Sequence, residues 1–217
     1  MSLVDRLASA VDGLRPDSRV LVAIDGPDAA GKTTLAAALA ARVSRPVVQA
    51  SVDGWHQPRA VRLRQGASSP VGYYEDSFDL DGLASLLLGP FRSGASSVQV
   101  SAFDHVTDAP CAVSVAVPSS RAVLLVDGVF LLRPGLREWW DLSVYLHVEP
   151  SESLARALER DVALLGDGVQ RRYEERYLPG QELYRALASP LEAADIVIDN
   201  NDPEAPQVIR WRESPRA

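Results

Sequence analysis

A three-layer α/β/α fold, with helices on both faces of a five-stranded parallel sheet, is the class this sequence predicts. Three observations predict it. Short apolar runs at 20–24, 46–52, 122–126, 142–148 and 194–199 recur along the chain, separated mostly by stretches with helical spacing. The first run leads into Gly26-Pro27-Asp28-Ala29-Ala30-Gly31-Lys32-Thr33-Thr34, which fits G-x-x-x-x-G-K-[ST] at every defined position and opens an Ala- and Leu-rich helix. Strands that alternate with helices form parallel sheets with right-handed crossovers.

The elements follow in order. Leu3, Leu7, Ala10, Val11 and Leu14 share one helical face, so residues 2–14 form an amphipathic helix that Pro16 ends. Strand 20–24, the glycine loop and helix 33–43 make a phosphate-binding P-loop. Its glycines let successive N–H groups surround an anion, and the helix aims its positive end at the same point. Lys32 reaches the β- and γ-phosphates and the Thr33 hydroxyl ligates Mg²⁺. Lys32 is the only lysine in the chain, where every other fixed side-chain cation is arginine; a compact charge on a flexible stem suits this position. The nine loop residues, 26–34, are thus the predicted ATP site.

The second strand, 46–52, ends at Asp53-Gly54-Trp55-His56, which puts Asp53 where open α/β sheets place their ligands. Residues 57–79 read as irregular and carry Arg59, Arg62 and Arg64. Asp79 caps a helix over 80–88 that Gly89-Pro90 stops. Alternating runs at 98–103 and 112–117 predict a β-hairpin with a long loop over 104–110, an insertion spanning about 97–118. The most apolar strand, 122–126, closes on Asp127-Gly128, the Walker B pattern of a carboxylate that holds Mg²⁺. A short helix or turn at 136–140 precedes strand 142–148. Ser151 caps a helix to about 165, with Arg156 and Arg160 four apart on one face. A second helical stretch with Arg171, Arg172 and Arg176 follows, Pro179-Gly180 interrupts it, and 183–188 resumes. Residues 156–178 read as a helical lid. After the last strand the tail is polar, with 208–211 docking on the body.

Composition narrows the function. The chain has 217 residues, enough for one domain over 1–217, and 47% of them are hydrophobic. A net charge of −7 argues against nucleic acid as the main partner, but does not disfavour a small anionic ligand. Cys111 is alone and lies in an alternating run, which points to a reducing, cytoplasmic setting. Residues 1–16 lack the apolar core of a signal peptide, and no run is long enough to span a membrane. Homo-oligomerisation is left open.

With these motifs in place, the chain resembles the uridine kinase and phosphoribulokinase-like group of P-loop kinases from about 20 to 200. Four blocks carry the resemblance: the P-loop, Asp53-Gly54-Trp55-His56, the apolar strand with Asp127-Gly128-Val129-Phe130-Leu131, and Tyr184 through Pro190 to Ile198. It implies ATP and Mg²⁺ as cofactors and a small-molecule alcohol as acceptor. It implies that Asp53 is the general base, close to Mg²⁺, that Asp127 stands where the family usually has Glu, and that Arg160 is a lid arginine on the phosphates. The resemblance also implies that residues 190–200 border the adenine. Catalysis would fall to Asp53, Lys32 and Arg160, and the metal to Thr33, Asp53 and Asp127.

The departures concern the acceptor. Uridine kinases carry an aspartate on the ribose hydroxyls where this chain has Tyr73, and the pyrimidine-contacting hairpin reads Phe103-Asp104-His105 here, with Asp108 nearby. Their lid motif Glu-Arg-Gly-Arg is replaced by Leu164-Leu165-Gly166-Asp167, with Arg171 and Arg172 as the nearest substitutes. The candidate acceptor contacts are therefore His56, Tyr73, Phe103, Asp104 and Arg172. A uridine- or cytidine-like nucleoside is the first expectation. Pantothenate-, nicotinamide riboside- or sugar phosphate-like alcohols follow, and the rivals in class are a nucleotide-binding switch and an NTP hydrolase.

Overall fold

Five parallel strands form the centre of the molecule, and the inner ones, such as Val20–Asp25 and Val123–Gly128, are buried along their whole length. The computed structural model describes residues 1–165 and 168–212. Strands β1 (Val20–Asp25), β2 (Val47–Ser51), β5 (Val123–Gly128), β6 (Leu142–His147) and β7 (Ile196–Asp199) are parallel, and β8 (Gln207–Trp211) pairs antiparallel with β7. The order is β2-β5-β1-β6-β7-β8. Side chains of β1 alternate between two buried clusters. Leu21 and Ala23 pack with Trp55, Phe130 and Tyr184, whereas Val20, Val22 and Ile24 pack with Leu7, Val11 and Leu39. That division is the three-layer arrangement. The sixth strand is a correction: the 208–211 segment, expected to dock, pairs instead along the sheet edge.

Helix α1 (Leu3–Gly13) starts at a capping box in which Ser2 and Asp5 each bond the other's backbone. Helix α2 (Lys32–Ala40) follows the P-loop and is shorter than the expected 33–43. The stretch expected to be irregular, 57–79, holds α3 (Arg59–Arg62) and α4 (Pro70–Asp76); Ser69 caps α4 through its side chain and Pro70 sits in its first turn. The inserted hairpin is β3 (Ser97–Asp104) and β4 (Ala109–Ala116), joined by a tighter turn than expected.

Two prolines expected to break helices do not. The helix capped by Asp79 continues past Gly89-Pro90 as Gly89–Arg92, and Gly168–Arg172 runs through Tyr173–Tyr177 into Leu178–Ala188 across Pro179. In both, a π segment comes just before the proline: Leu83–Leu88 bonds Gly89 N to Ala84 O, and Leu178 N bonds to Tyr173 O. The wider turn shifts the ladder by one residue, so the ring has room and its missing N–H is not called upon. The Pro150–Leu165 helix begins one residue before the expected cap, Ser151. Residues 166 and 167, part of the departing lid sequence, lie outside the described residues.

Candidate active site

Strand β1 delivers the P-loop, and the loop's turns require its glycines. A Cβ on Gly26 would sit 2.7 Å from the Leu146 carbonyl oxygen, and Gly31 has φ +88°. Ala29 also takes a left-handed φ of 55°. Beneath the loop, Asp25 is fully buried and accepts three hydrogen bonds, from Gly26 N at 2.7 Å, Leu132 N at 3.1 Å and the Tyr184 hydroxyl. Burial pushes its carboxyl up to about 6 against the lowering pull of Tyr184 and the two amides. Asn200 Nδ2 holds the loop from the far side through the Ala30 carbonyl, at 2.8 Å.

A cleft of about 450 Å³ opens over this loop, lined by Asp28 through Thr34, Ser51, Asp53, Asp127, Gly128, Val129, Arg156 and Arg160. Gly26 and Pro27, the first two loop residues, do not line it. The Lys32 ammonium donates to the Pro27 carbonyl at 2.6 Å, so it is curled over its own loop. The Thr33 hydroxyl donates to Asp127 Oδ2 at 2.7 Å. Burial raises the Asp127 carboxyl, with Thr33 and Lys32 opposing. Strand register explains the grouping: Asp127 pairs with Ile24 on one side and Ser51 on the other, placing it between the P-loop and the end of β2. Asp53 sits in the 3₁₀ turn Val52–Trp55 just after β2. Gly128 lets that turn close on β5, since a Cβ there would meet Val52 Cγ1 at 2.2 Å.

No three His, Cys, Asp or Glu side chains cluster as a self-contained metal site among the described residues. The oxygen donors present nevertheless fit Mg²⁺, which takes one or two carboxylates and completes its shell from phosphates and water. Thr33 and Asp127 touch, and Asp53 lines the same cleft.

The remaining expected residues are distributed unevenly. His56 Nδ1 lies 2.9 Å from the Asp53 carbonyl, and its ring stacks against Phe78 and His105 at centroid distances of 4.6 and 4.7 Å. Burial lowers its pKa, which favours the neutral ring. The buried Tyr73 donates its hydroxyl to Asp28 Oδ2 at 3.1 Å. Arg160 lines the cleft and reaches the Tyr173 hydroxyl at 3.4 Å. Arg172 bonds the Tyr177 side chain. Phe103 is buried in the core, and Asp104 spends both oxygens inside the hairpin turn, on Val106 N and the Thr107 hydroxyl. Two partners, Gln181 and Ser153, had no sequence signal, and Arg176 was legible only as one of the lid arginines. Gln181 Nε2 donates to Asp28 Oδ2 at 2.7 Å, Ser153 Oγ donates to the Asp28 carbonyl at 2.7 Å, and buried Arg176 holds the carbonyls of Arg62, Gly66 and Ser69. Each joins segments far apart in the chain.

The sequence model of the Phosphoribulokinase / Uridine kinase family matches residues 21–201. The chain belongs to this family. Among solved structures it is similar to a possible uridine kinase from Bacillus stearothermophilus, with 24% identity, a TM-score of 0.72, and coverage of 89% of this chain and 96% of that one. A protein provisionally described as a fructose transport system kinase from Silicibacter sp. TM1040 shares 28% identity at a TM-score of 0.66, with the same coverage. The D-glycerate 3-kinase of Cryptococcus neoformans shares the fold, with a TM-score of 0.67 at 11% identity over 96% of this chain and all of that one. No curated protein matches the chain. Membership makes the chain a P-loop kinase with a small-molecule substrate, and none of its described helices is long and apolar enough to cross a membrane.

Proposed function

We propose that this family member transfers the γ-phosphate of ATP to a hydroxyl of a small metabolite, a uridine- or cytidine-like nucleoside being the first acceptor class. The observation that carries the reading is Asp53. It faces the cleft that Lys32, Thr33 and Asp127 line, and a nucleotide switch has no need of a second carboxylate there. Phosphoryl transfer asks the protein for positioning and charge neutralisation. Lys32 exchanges the Pro27 carbonyl for phosphate oxygens, and Arg160 adds a planar fork from the lid side. Asp53 orients the acceptor hydroxyl and takes its proton. Thr33, Asp127 and Asp53 are the residues that would hold Mg²⁺, which neutralises charge on the phosphates when bound. The lid keeps water from the transferring group.

Because Tyr73 is occupied with Asp28, pantothenate-, nicotinamide riboside- and sugar phosphate-like alcohols stand beside nucleosides as acceptors. The test is ADP release from Mg-ATP across such a panel, with Asp53→Asn in parallel. ADP that depends on acceptor, and falls by roughly 10²–10⁴-fold in the variant while ATP still binds, is the expected result. ADP release that ignores the acceptor would make the chain a hydrolase. ATP binding with no ADP from any acceptor would favour a switch.

A further inference from the structure

The third residue of the phosphate loop, Asp28, is an acid whose carboxylate is held from outside the loop. Every hydrogen bond the described residues make to the Asp28 carboxylate goes to Oδ2, from Tyr73 Oη at 3.1 Å and Gln181 Nε2 at 2.7 Å. Oδ1 takes none, yet it is not among the buried unpartnered atoms, and Asp28 lines the cleft. Tyr73 comes from α4 and Gln181 from the 178–188 helix segment, both outside the nucleotide-binding strand-and-helix unit. Two donors therefore hold one oxygen and leave the other to the cleft.

A negative group beside a triphosphate is repelled by it, so a carboxylate held this firmly needs another use. Burial raises the Asp28 pKa, Lys32 and Arg160 pull it back down and Asp53 adds to the rise; Asp28 and Asp53 line the same cleft. An ionised carboxylate accepts hydrogen bonds and cannot donate them. Its partner in the cleft must be a donor. We propose that Asp28 Oδ1 binds a second hydroxyl of the acceptor, so the acceptor is a polyol whose reacting hydroxyl meets Asp53 and whose neighbouring hydroxyl meets Asp28. This rests on the alcohol-kinase reading above and adds a specificity-determining residue to it.

The experiment uses acceptor pairs that differ by one hydroxyl: uridine against 2′-deoxyuridine and 3′-deoxyuridine, and glycerate against 3-hydroxypropionate. Wild type is expected to favour the richer member of its preferred pair by roughly 10- to 100-fold in kcat/KM, the range for losing a hydrogen bond to a charged group. Asp28→Ser is expected to bring that ratio to within about threefold by raising KM for the richer acceptor. Asp28→Asn, of equal size with half the acceptor capacity, falls between. ATP affinity and a urea melt are measured on both variants to report whether the loop is folded. Wild type that uses both members alike, or selectivity that survives Asp28→Ser, would overturn the inference while leaving the kinase reading intact. Weakened ATP binding with unchanged acceptor selectivity would assign Asp28 to loop architecture and overturn it as well. A wild type silent with both pairs but active on an acceptor that has a single hydroxyl would overturn the inference alone, whereas silence with every acceptor of the wider panel would remove the alcohol-kinase reading and the inference with it.

Discussion

Adding one methyl group at Gly128 tests whether close packing between two strand ends holds the two acids in register. The Cβ of Gly128→Ala would lie 2.2 Å from Val52 Cγ1, 2.7 Å from Val52 Cβ and 3.4 Å from Val52 N. Ordinary contact begins near the last of these, so Val52 must retreat by about 1 Å. Val52 is 1% exposed and has no free volume to enter. Its neighbour Asp53 moves with it, away from Asp127. Overpacking of this kind costs about 1–3 kcal/mol. A misplacement of about 1 Å at a reacting group costs on the order of 10²-fold in rate. The assay is acceptor-dependent ADP release at saturating ATP, with urea denaturation of the same samples. Adding Val52→Ala removes the Cγ1 clash but leaves the Cβ–Cβ contact, so the double variant is expected to recover activity only in part. Activity within about threefold of wild type, alongside a measurable loss of stability, would refute the reasoning. It would mean that the methyl is accommodated without moving Asp53.

Two further predictions concern stability. Asp25 titrates near 6 in the fold rather than at 3.8, so the folded state holds its proton more tightly than the unfolded chain. This group's contribution is fully present below about pH 4 and is lost as pH rises through 6, a change of roughly 3 kcal/mol. Tyr184→Phe removes the donor that most favours the charged carboxylate, so its cost should be larger at pH 8, about 2 kcal/mol, than at pH 5, about 1 kcal/mol. Urea melts at the two pH values check this, and equal losses would contradict it. Arg176 is buried with its guanidinium on the carbonyls of Arg62 and Ser69 at 2.9 and 3.1 Å. Arg176→Met should cost about 2–4 kcal/mol by leaving those carbonyls unpaired, and limited proteolysis should then cut first within 62–69. Unchanged cleavage would show that the loop holds itself.

What the sequence determined by itself is the part of the site that is local in the chain. The P-loop, the strand before it and the helix after it are consecutive, and their glycine, lysine and threonine positions are set by backbone geometry and phosphate chemistry alone. The positions of Asp53, just after β2, and Asp127, at the end of β5, were legible as well, since parallel sheets present such strand ends on one edge. Tertiary structure decided the rest, because the deciding contacts join distant residues. Sheet pairing turned the 208–211 tail into an edge strand on β7. The π segments before Pro90 and Pro179 form where helices must stay continuous against the body, which local propensity does not report. Phe103 is buried within β3, where it pairs with Pro110, and does not line the cleft, and Asp104 is consumed by the tighter turn. Asp28 reads in sequence as one variable loop position. Only the arrival of Tyr73 and Gln181, 45 and 153 residues away, ties up one of its oxygens and leaves the other to the cleft.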